Sequence, residues 1–424
     1  MSLNQQDRQY DLVVFGATGF TGVLTTERLA MTMPMNRRWA VAGRSESKLQ
    51  AVVDECKRLN PDMVEPAIEI ASIDNDEQLH SLATKTALLI STVGPYHKLG
   101  EGAFRACAEA GTHYIDCTGE VPWVLSMISK YQETAKKTGA IMVPQAGVDS
   151  VPADVIAWTL ARFVRKELDA PIGNVVVSMN GVGLTPSGGT LATVLGVQEH
   201  YSLKYLRSAM KPFALSPIPH PKGAKGRPSM TLLQKLSGLR RFSNHGLVTT
   251  SPASMADVPI VERSWGLLST IPSRKAEFYG PNFGFSEYFK PRNWLQGFMM
   301  HLVLAFGAVM ITFVPPFRSL LKMFIFQPGQ GPSKEDMAKA WVEYRGTATP
   351  DSPAAADKVA LCRVTFRQSL YSLTAITLAE AAFTILQGDL GLEGGIYTPA
   401  CLGPAFVDRL GESGFAMDVT MVNN

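Results

Sequence analysis

Gly16-Ala17-Thr18-Gly19-Phe20-Thr21-Gly22 is the stretch of sequence that decides the fold. It follows a short apolar segment, residues 10–15, which predicts a buried β-strand, and it opens a segment, residues 20–33, which predicts a helix. A glycine-rich turn between a strand and a helix is the placement that a dinucleotide-binding turn requires. We therefore predict a Rossmann-type unit at the start of the chain.

Each glycine of the turn has a distinct predicted role. Gly16 permits the tight turn, Gly19 lets the backbone approach a pyrophosphate, and Gly22 lets the helix pack closely on the sheet. The amides at the helix N-terminus then attract the phosphate charge. The alternative is a glycine-rich turn that binds nothing. Thr18, Phe20 and Thr21 are also predicted to belong to the cofactor site, and Phe20 is expected to contribute by packing.

Strand and helix patterns alternate through the first part of the chain, which predicts a doubly wound parallel sheet. The predicted strands cover residues 10–15, 39–42, 67–70, 87–91, 114–116 and 140–144, and helices separate them. We therefore place the Rossmann domain at residues 1–152. Beyond it the alternation stops, and residues 341–347 and 360–366 are predicted to form antiparallel strands.

The end of the second predicted strand indicates which nicotinamide cofactor is bound. A site for NADH places Asp or Glu here to bind the ribose hydroxyl groups. This chain has Arg44 and Ser45 instead, and a guanidinium forms paired hydrogen bonds with a phosphate. We therefore predict NADPH as the cofactor, with Lys48 as an additional contact; the alternative is that Arg44 is a solvated loop residue.

The end of the fourth predicted strand, Val93-Gly94-Pro95-Tyr96, is expected at the cofactor, because ligands of such sheets lie beyond the carboxyl ends of the strands. Gly94 would let a ligand lie close to the backbone. Tyr96 and the neighbouring His97 are able to move a proton, and we predict Tyr96 as a catalytic residue. The alternative is that Tyr96 is packed as a structural lid over the turn.

Two further residues, Asp149 and Thr190, are predicted to line the reacting end. Asp149 follows the sixth predicted strand, where it or Ser150 is also suited to cap the next helix. Thr190 follows two glycines that permit a close approach of a ligand, and it is equally suited to cap a helix. Asp116 and Glu120 are interpreted mainly as residues that cap or begin helices.

Composition limits the remaining functions. The net charge of +3 and the absence of zinc-finger spacing argue against nucleic acid as a partner. The five cysteines form no C-x-x-C pair, which predicts a reduced intracellular protein with no metal site, and the polar N-terminus does not resemble a signal peptide. We expect the protein in the cytoplasm or attached peripherally to a membrane or lipid droplet.

The apolar segment at residues 297–326 supports the expectation of peripheral attachment. Its first 20 residues approach the length needed to cross a bilayer core. A full crossing would separate two parts of one enzyme, so docking on a membrane or lipid droplet is preferred. A buried helix or the wall of an acyl tunnel is the alternative. A basic stripe at residues 204–241 is expected to meet anionic lipid or an acidic carrier protein; a solvated loop is the alternative.

Taken together, the motifs resemble those of the saccharopine dehydrogenase-like oxidoreductase family. The matching stretches, beyond those already quoted, are Gly111-Thr112-His113-Tyr114-Ile115-Asp116, Thr118-Gly119-Glu120, Gly147-Val148-Asp149-Ser150-Val151-Pro152, Ser187-Gly188-Gly189-Thr190, Pro328-Gly329-Gln330-Gly331-Pro332 and Thr398-Pro399-Ala400. The resemblance implies a Rossmann domain, an inserted α+β substrate domain at residues 153–370 that supports a homodimer, and a C-terminal segment, 371–424, that returns to the Rossmann domain.

Within that family the chain looks closer to the trans-acting enoyl reductases and the lipid-droplet-associated members than to true saccharopine reductases, and we place it nearest to the enoyl reductase branch. That branch implies NADPH-dependent reduction of a carbon–carbon double bond in an acyl or polyketide-type substrate, either free or bound to a carrier. The hydride geometry would serve a C=N bond equally well, so an imine reductase is an alternative. A second alternative, of another class, is a lipid-surface binding protein without catalytic activity.

Overall fold

The computed structural model describes residues 8–182, 188–223, 229–322 and 331–423. Its first part alternates strands and helices as the sequence predicts. The elements are β1 (Tyr10–Phe15), α1 (Phe20–Thr32), β2 (Trp39–Gly43), α2 (Glu46–Leu59), β3 (Ala67–Ile70), α3 (Asp76–Lys85), β4 (Thr86–Ser91), α4 (Tyr96–Leu99), α5 (Glu101–Ala110), β5 (His113–Asp116), α6 (Val121–Thr138) and β6 (Ile141–Val143).

These six strands form a parallel sheet in the order β6-β5-β4-β1-β2-β3. Both faces are covered, which explains why the strands are mainly apolar and show little alternation of apolar and polar residues. In β1, Leu12 and Val14 belong to one hydrophobic core, whereas Val13 and Phe15 belong to the core on the opposite face. The prediction of a doubly wound Rossmann sheet is confirmed.

The second part of the chain builds a separate sheet together with the helices that pack against it. Its elements are α7 (Val151–Leu168), β7 (Ile172–Val182), α8 (Gly188–His200), α9 (Leu203–Ala209), α10 (Leu232–Ser237), β8 (Arg240–Phe242), β9 (Gly246–Thr250), α11 (Ser254–Thr270), β10 (Gly284–Phe289), α12 (Trp294–Phe313), α13 (Pro315–Lys322), α14 (Lys334–Lys339), β11 (Trp341–Pro350) and β12 (Lys358–Phe366). The boundary predicted at residue 152 therefore falls inside α7.

The chain ends with α15 (Leu370–Leu386), β13 (Gly395–Ile396), α16 (Pro404–Glu412) and β14 (Asp418–Asn423), and it contributes to both sheets. β13 pairs with β6 and extends the parallel sheet, and Glu380 of α15 forms an ion pair of 3.0 Å with Arg28 of α1. β14 instead pairs with β12. The C-terminal segment thus returns to the Rossmann domain with α15 and β13, and its last strand completes the other sheet.

The second sheet has the strand order β14-β12-β11-β7-β10-β9-β8. β11 and β12 are antiparallel, as predicted, whereas β7 and β10 run parallel. The face that carries Val177, Phe285 and Tyr344 shares one hydrophobic core with α7, α11 and the Rossmann strands. The two sheets are therefore joined through a continuous core, and the carboxyl-end loops of the first sheet lie close to α11.

Candidate active site

The glycine turn has the tight geometry that the sequence predicts. Gly16 has a φ of +89°, a conformation that side chains disfavour. A Cβ atom on Gly22 would lie 2.1 Å from the carbonyl oxygen of Gly16. Thr92, which follows β4, holds the turn from the other side, because its hydroxyl donates to the same oxygen at 3.1 Å. The backbone at this turn is thus accessible and fixed.

Among the residues that the structure describes, no side chain caps the N-terminus of α1, so its first amides are open to an anion. Its N-cap residue, Gly19, has no side chain that could occupy the first amides of the helix. Thr18 is exposed beside it, and Thr21 follows in the first turn of the helix. Phe20 packs as predicted, because its ring meets that of Tyr371 edge-on, with 5.1 Å between the ring centres. The amides of this turn therefore fit a pyrophosphate group.

Arg44 lies at the edge of the glycine turn, where the sequence predicts that the ribose phosphate binds. β1 and β2 are neighbours, and the amide of Gly16 donates to the carbonyl of Ala42 at 2.9 Å, which brings Arg44 to the edge of the glycine turn. Arg44 is exposed and forms no hydrogen bond or ion pair with any residue that the structure describes. Ser45 occupies the N-cap position of α2, but its hydroxyl lies 3.3 Å from that of Ser47 and does not cap the helix.

The loop after β4 combines an open backbone with a buried tyrosine. Val93 lies against Gly16, Gly94 is exposed and Pro95 is half-buried. The hydroxyl of Tyr96 donates to the carbonyl of Ser91 at 2.9 Å, and burial raises its pKa well above the usual value, with a smaller contribution from nearby acidic groups. This geometry favours the packed lid for Tyr96, whose catalytic role stays a prediction.

Glu120 has a larger structural role than the sequence indicated. Its carboxylate accepts hydrogen bonds from the amides of Tyr96 and His97 at 2.8 and 2.7 Å, and from the hydroxyl of Thr193 at 3.2 Å. It also lies 2.8 Å from Nδ1 of His97. Glu120 therefore fixes the loop after β4 and connects it to α8. No spacing in the sequence could reveal this, because Glu120 and Thr193 meet only in the tertiary structure.

Asp116 connects two loops and does not cap the helix that follows it, contrary to the sequence prediction. Its carboxylate accepts the amides of Thr118 at 2.9 Å and Gln145 at 3.0 Å, and thereby connects the ends of β5 and β6. Burial raises the pKa of Asp116 to about 7. Gln145 itself has a φ of +64°, which is unusual for a residue with a side chain. The loops at this edge of the sheet are thus held in a fixed, strained conformation.

Asp149 is half-buried in the loop after β6, and it faces the second sheet domain. A Cβ atom on Gly119 would lie 3.5 Å from Oδ2 of Asp149 and 3.9 Å from the Cβ of Ala256, so the loop after β5, Asp149 and the start of α11 converge. Burial raises the pKa of Asp149. Two buried carboxyl groups that the sequence analysis did not select, Asp257 and Glu287, lie close enough to influence each other and Asp149 electrostatically.

Thr190 lies within α8 by its backbone, but its side chain and residues 183–187 fall outside the described part of the chain. The described part of α8 packs on the loop after β4, since a Cβ atom on Gly196 would lie 2.5 Å from Nε2 of His97. Among the residues described, no three His, Cys, Asp or Glu side chains are grouped to hold a metal ion.

The fold and the glycine turn define an NADP-binding oxidoreductase domain, and residues 12–143 match the family model of the saccharopine dehydrogenase NADP binding domain. The protein accordingly binds NADP(H). Over its full length the chain belongs to the saccharopine dehydrogenase-like oxidoreductase family, because it is 30% identical to the Bos taurus protein of that name, with 98% of each chain covered.

Two other proteins extend the comparison. The chain is 28% identical to a trans-acting enoyl reductase of Mycobacterium ulcerans, with 99% of this chain and 100% of the relative covered. Its fold is similar to that of apo saccharopine dehydrogenase (L-Glu forming) from Saccharomyces cerevisiae, with a TM-score of 0.56 at 10% identity, over 97% of this chain and 100% of that one. The second likeness concerns the fold alone.

Proposed function

We propose that the protein is an NADPH-dependent enoyl reductase that saturates a carbon–carbon double bond of an acyl or polyketide-type substrate, free or bound to a carrier. The observation that carries this proposal is the arrangement of one edge of the Rossmann sheet. The cofactor turn lies at one end of that edge, and half-buried Asp149, with its raised pKa, lies at the other. The full-length similarity to a trans-acting enoyl reductase supports the same reaction.

The chain's own residues would hold the cofactor as follows. Gly16 and Gly19 would leave room for the pyrophosphate, Gly22 would keep the turn tight, and Arg44 with Ser45 would bind the phosphate on the ribose. The exposed backbone at Gly94, between Val93 and Pro95, would lie along the nicotinamide end. When bound, NADPH supplies a hydride. Asp149, Tyr96 and Thr190 would line the reacting end and orient the substrate there.

A substrate screen tests this proposal. The protein is mixed with NADPH and either a 2-enoyl thioester or a cyclic imine, and loss of NADPH absorbance is followed. We expect oxidation with the thioester and little with the imine. An amino dicarboxylate imine, as in saccharopine chemistry, calls for cationic side chains, whereas Asp149 and the two carboxyl groups near it are acidic. Turnover of the imine alone would replace the proposed reaction, and turnover of neither substrate would favour a non-catalytic binding protein.

We also propose that the protein docks on a phospholipid surface through α12 and α10. Of the helices described, α12 is the one long and apolar enough, by length and composition, to cross a membrane, and only 6% of its apolar window is buried. Gly238, at the end of α10, packs against His301 of α12, so the two helices form one surface. The large apolar side chains exposed there are Leu232, Leu233, Leu236, Trp294, Leu295, Met299, Leu302, Val303, Phe306, Val309 and Phe313.

The groups around this surface favour an anionic lipid interface. Lys235, Arg241 and Arg292 are exposed next to it, and Trp294 at the start of α12 suits the level of the head groups. Interfacial docking leaves both sheets on one side of the membrane, whereas a crossing would separate α12 from β9, to which Thr249 ties it by donating to the carbonyl of Gly297 at 2.8 Å. The exposed helices are therefore better explained by docking than by spanning.

Vesicle flotation tests the docking proposal. The protein is mixed with vesicles of phosphatidylcholine containing phosphatidylserine, and we expect it to float with them. A Val303→Ser, Phe306→Ser, Val309→Ser variant should lose most of the floating fraction. The matched control changes Met31, Met35 and Ile70 to Ser, because these apolar side chains are similarly exposed elsewhere. Equal flotation of both variants and the unchanged protein would reject docking through α12.

A further inference from the structure

We propose that Asp257 and Glu287 form a proton-sharing carboxyl pair that supplies the proton for the reduction. Asp257 lies in the first turn of α11, and its amide donates to the carbonyl of Ala253 at 3.0 Å. Glu287 lies on β10, in the same row as core residue Phe285, and so on the face of the sheet against which α11 packs. The two side chains are 4% and 5% exposed. The inference rests on the proposed function only for the statement that the substrate receives the proton.

Asp257 and Glu287 lie close enough that each shifts the pKa of the other, and a single proton shared between the two carboxyl groups would give each of them a hydrogen-bonding partner. The hydroxyl of Ser251 donates to Oε1 of Glu287 at 3.2 Å. No other described residue donates to Oδ1 of Asp257 or Oε2 of Glu287, and no described cation forms an ion pair with either group. A second negative charge on a pair of buried carboxyl groups with so few hydrogen-bond donors is strongly unfavourable.

The surroundings of the pair reinforce this conclusion. The titratable groups that face it are Asp149 from the loop after β6, Asp154 from α7 and Tyr344 from β11, so none of them brings a positive charge. Burial raises the pKa of Asp257 well above its usual value, and the charge of Glu287 raises it further. Burial also raises the pKa of Glu287. The shared proton is therefore retained at a pH at which an isolated carboxyl group has lost it.

The position of the pair connects it to the reacting end of the site. Ala256, next to Asp257 in the chain, lies beside Gly119 and Asp149, which belong to the loops at the carboxyl ends of β5 and β6. Those loops are where a ligand of a doubly wound sheet binds. Asp149 is the most accessible of the three acidic groups. A proton held by Asp257 and Glu287 is thus stored next to the predicted substrate site and away from bulk water.

The chemistry of the proposed reaction balances with this proton. When the β-carbon of the double bond gains a hydride, the electrons of that bond remain as an enolate. The α-carbon then forms a C–H bond as the O–H bond of the pair breaks, and the pair is left with two negative charges. Repulsion between these charges favours recovery of one proton from water, which restores the starting state.

Infrared spectroscopy tests the pair without any substrate. At neutral pH, the carbonyl stretch of a protonated carboxyl group should be present in the unchanged protein. The intensity of this stretch should fall in the Asp257→Asn variant and also in the Glu287→Gln variant. Both variants should lose the same band, because the two residues share one proton. Asp154→Asn serves as the control for another buried carboxyl, and it should remove a different component. NADPH binding should be retained in every variant, which confirms that each has folded.

Kinetics then tests the destination of the proton. With an enoyl thioester, Glu287→Gln should move the alkaline limb of the kcat profile to lower pH, because Asp257 no longer has a negative neighbour. The double variant, Asp257→Asn with Glu287→Gln, should lower kcat by roughly 10²–10⁴-fold. No infrared change in either single variant would overturn the pair. An infrared change with no turnover of any thioester would instead reject the proposed function and leave the pair intact.

Discussion

Nδ1 of His97 lies 2.8 Å from Oε2 of Glu120, and both side chains are completely buried. Glu120 also accepts the amides of Tyr96 and His97, so a single carboxylate holds the start of α4. Removing one partner of a buried, hydrogen-bonded pair leaves polar groups in the interior without compensation. This contact therefore determines the stability of the loop that follows β4.

Glu120→Ala is expected to destabilise the protein by about 3–5 kcal/mol, because it leaves two amides and a histidine without their acceptor. Chemical denaturation, followed by circular dichroism, measures this free energy of unfolding. Glu120→Gln is the matched variant, since an amide oxygen can still accept one or two of the hydrogen bonds, and it should cost less. Equal, small effects of both substitutions would contradict the importance of this contact.

Gly22→Ala is expected to weaken NADPH binding by about tenfold or more, because the new methyl group would collide with the carbonyl of Gly16 and force the turn to move. Quenching of protein fluorescence gives the dissociation constant. Gly307→Ala in α12 is the control, since a Cβ atom there meets nothing within 4 Å. The control should bind NADPH normally. Normal binding by Gly22→Ala as well would show that the turn can move to accept the methyl group.

Arg44→Asp is expected to weaken NADPH binding by roughly 10–100-fold, the equivalent of losing about 1.5–3 kcal/mol of hydrogen bonds to a charged group. Binding of NADH, which lacks the ribose phosphate, should change little or improve. The same titrations with both dinucleotides measure the ratio. Lys137→Asp carries the identical change of charge at an exposed position on α6 and should leave the ratio unaltered.

Asp154→Asn is expected to reduce the dependence of stability on pH. Burial raises the pKa of Asp154 from 3.8 to about 7, so between these values the folded state binds a proton that the unfolded state has lost. Stability therefore falls as pH rises through this interval, by about 1.4 kcal/mol per pH unit for this group. Above pH 7 this contribution levels off.

Urea unfolding at several pH values between 4 and 8 tests the Asp154 prediction, with the range set by the pKa of about 7. The variant should show a shallower fall than the unchanged protein. Asn retains an oxygen that accepts the amide of Ala400, so the contact of 2.8 Å can persist. Asp62→Asn removes an exposed carboxyl as a control, and an identical slope in all three proteins would contradict a raised pKa for Asp154.

The parts of the fold that depend on local sequence could be predicted. The turn at Gly16 and the alternation of strands and helices follow from backbone conformation and hydrophobic periodicity within short windows. The pairing of Asp257 with Glu287 could not be predicted, because it depends on how α11 packs against β10. Glu120 and Thr193 are a similar case, since nothing near either residue in the sequence indicates the other.

The apolar helices illustrate the same limit. α12 and α15 are both strongly apolar, yet the side chains of α12 face outward, whereas residues Leu373–Ile385 of α15 are buried without interruption. Hydrophobicity alone cannot separate the two, because it does not say which surface is available to cover a helix. α15 packs against α1 and the Rossmann sheet, but α12 meets mainly β9 and α13.

The final segment of the chain gives each sheet an edge strand, β13 for one and β14 for the other. A truncation after Gln387 would expose the hydrogen-bonding edges of β6 and β12 at once, and such edges readily pair with other chains. Neither half of the molecule should therefore fold cleanly as an isolated fragment. Shortened versions are expected to aggregate. A fragment containing either sheet would need residues 388–423 to cover its open edge.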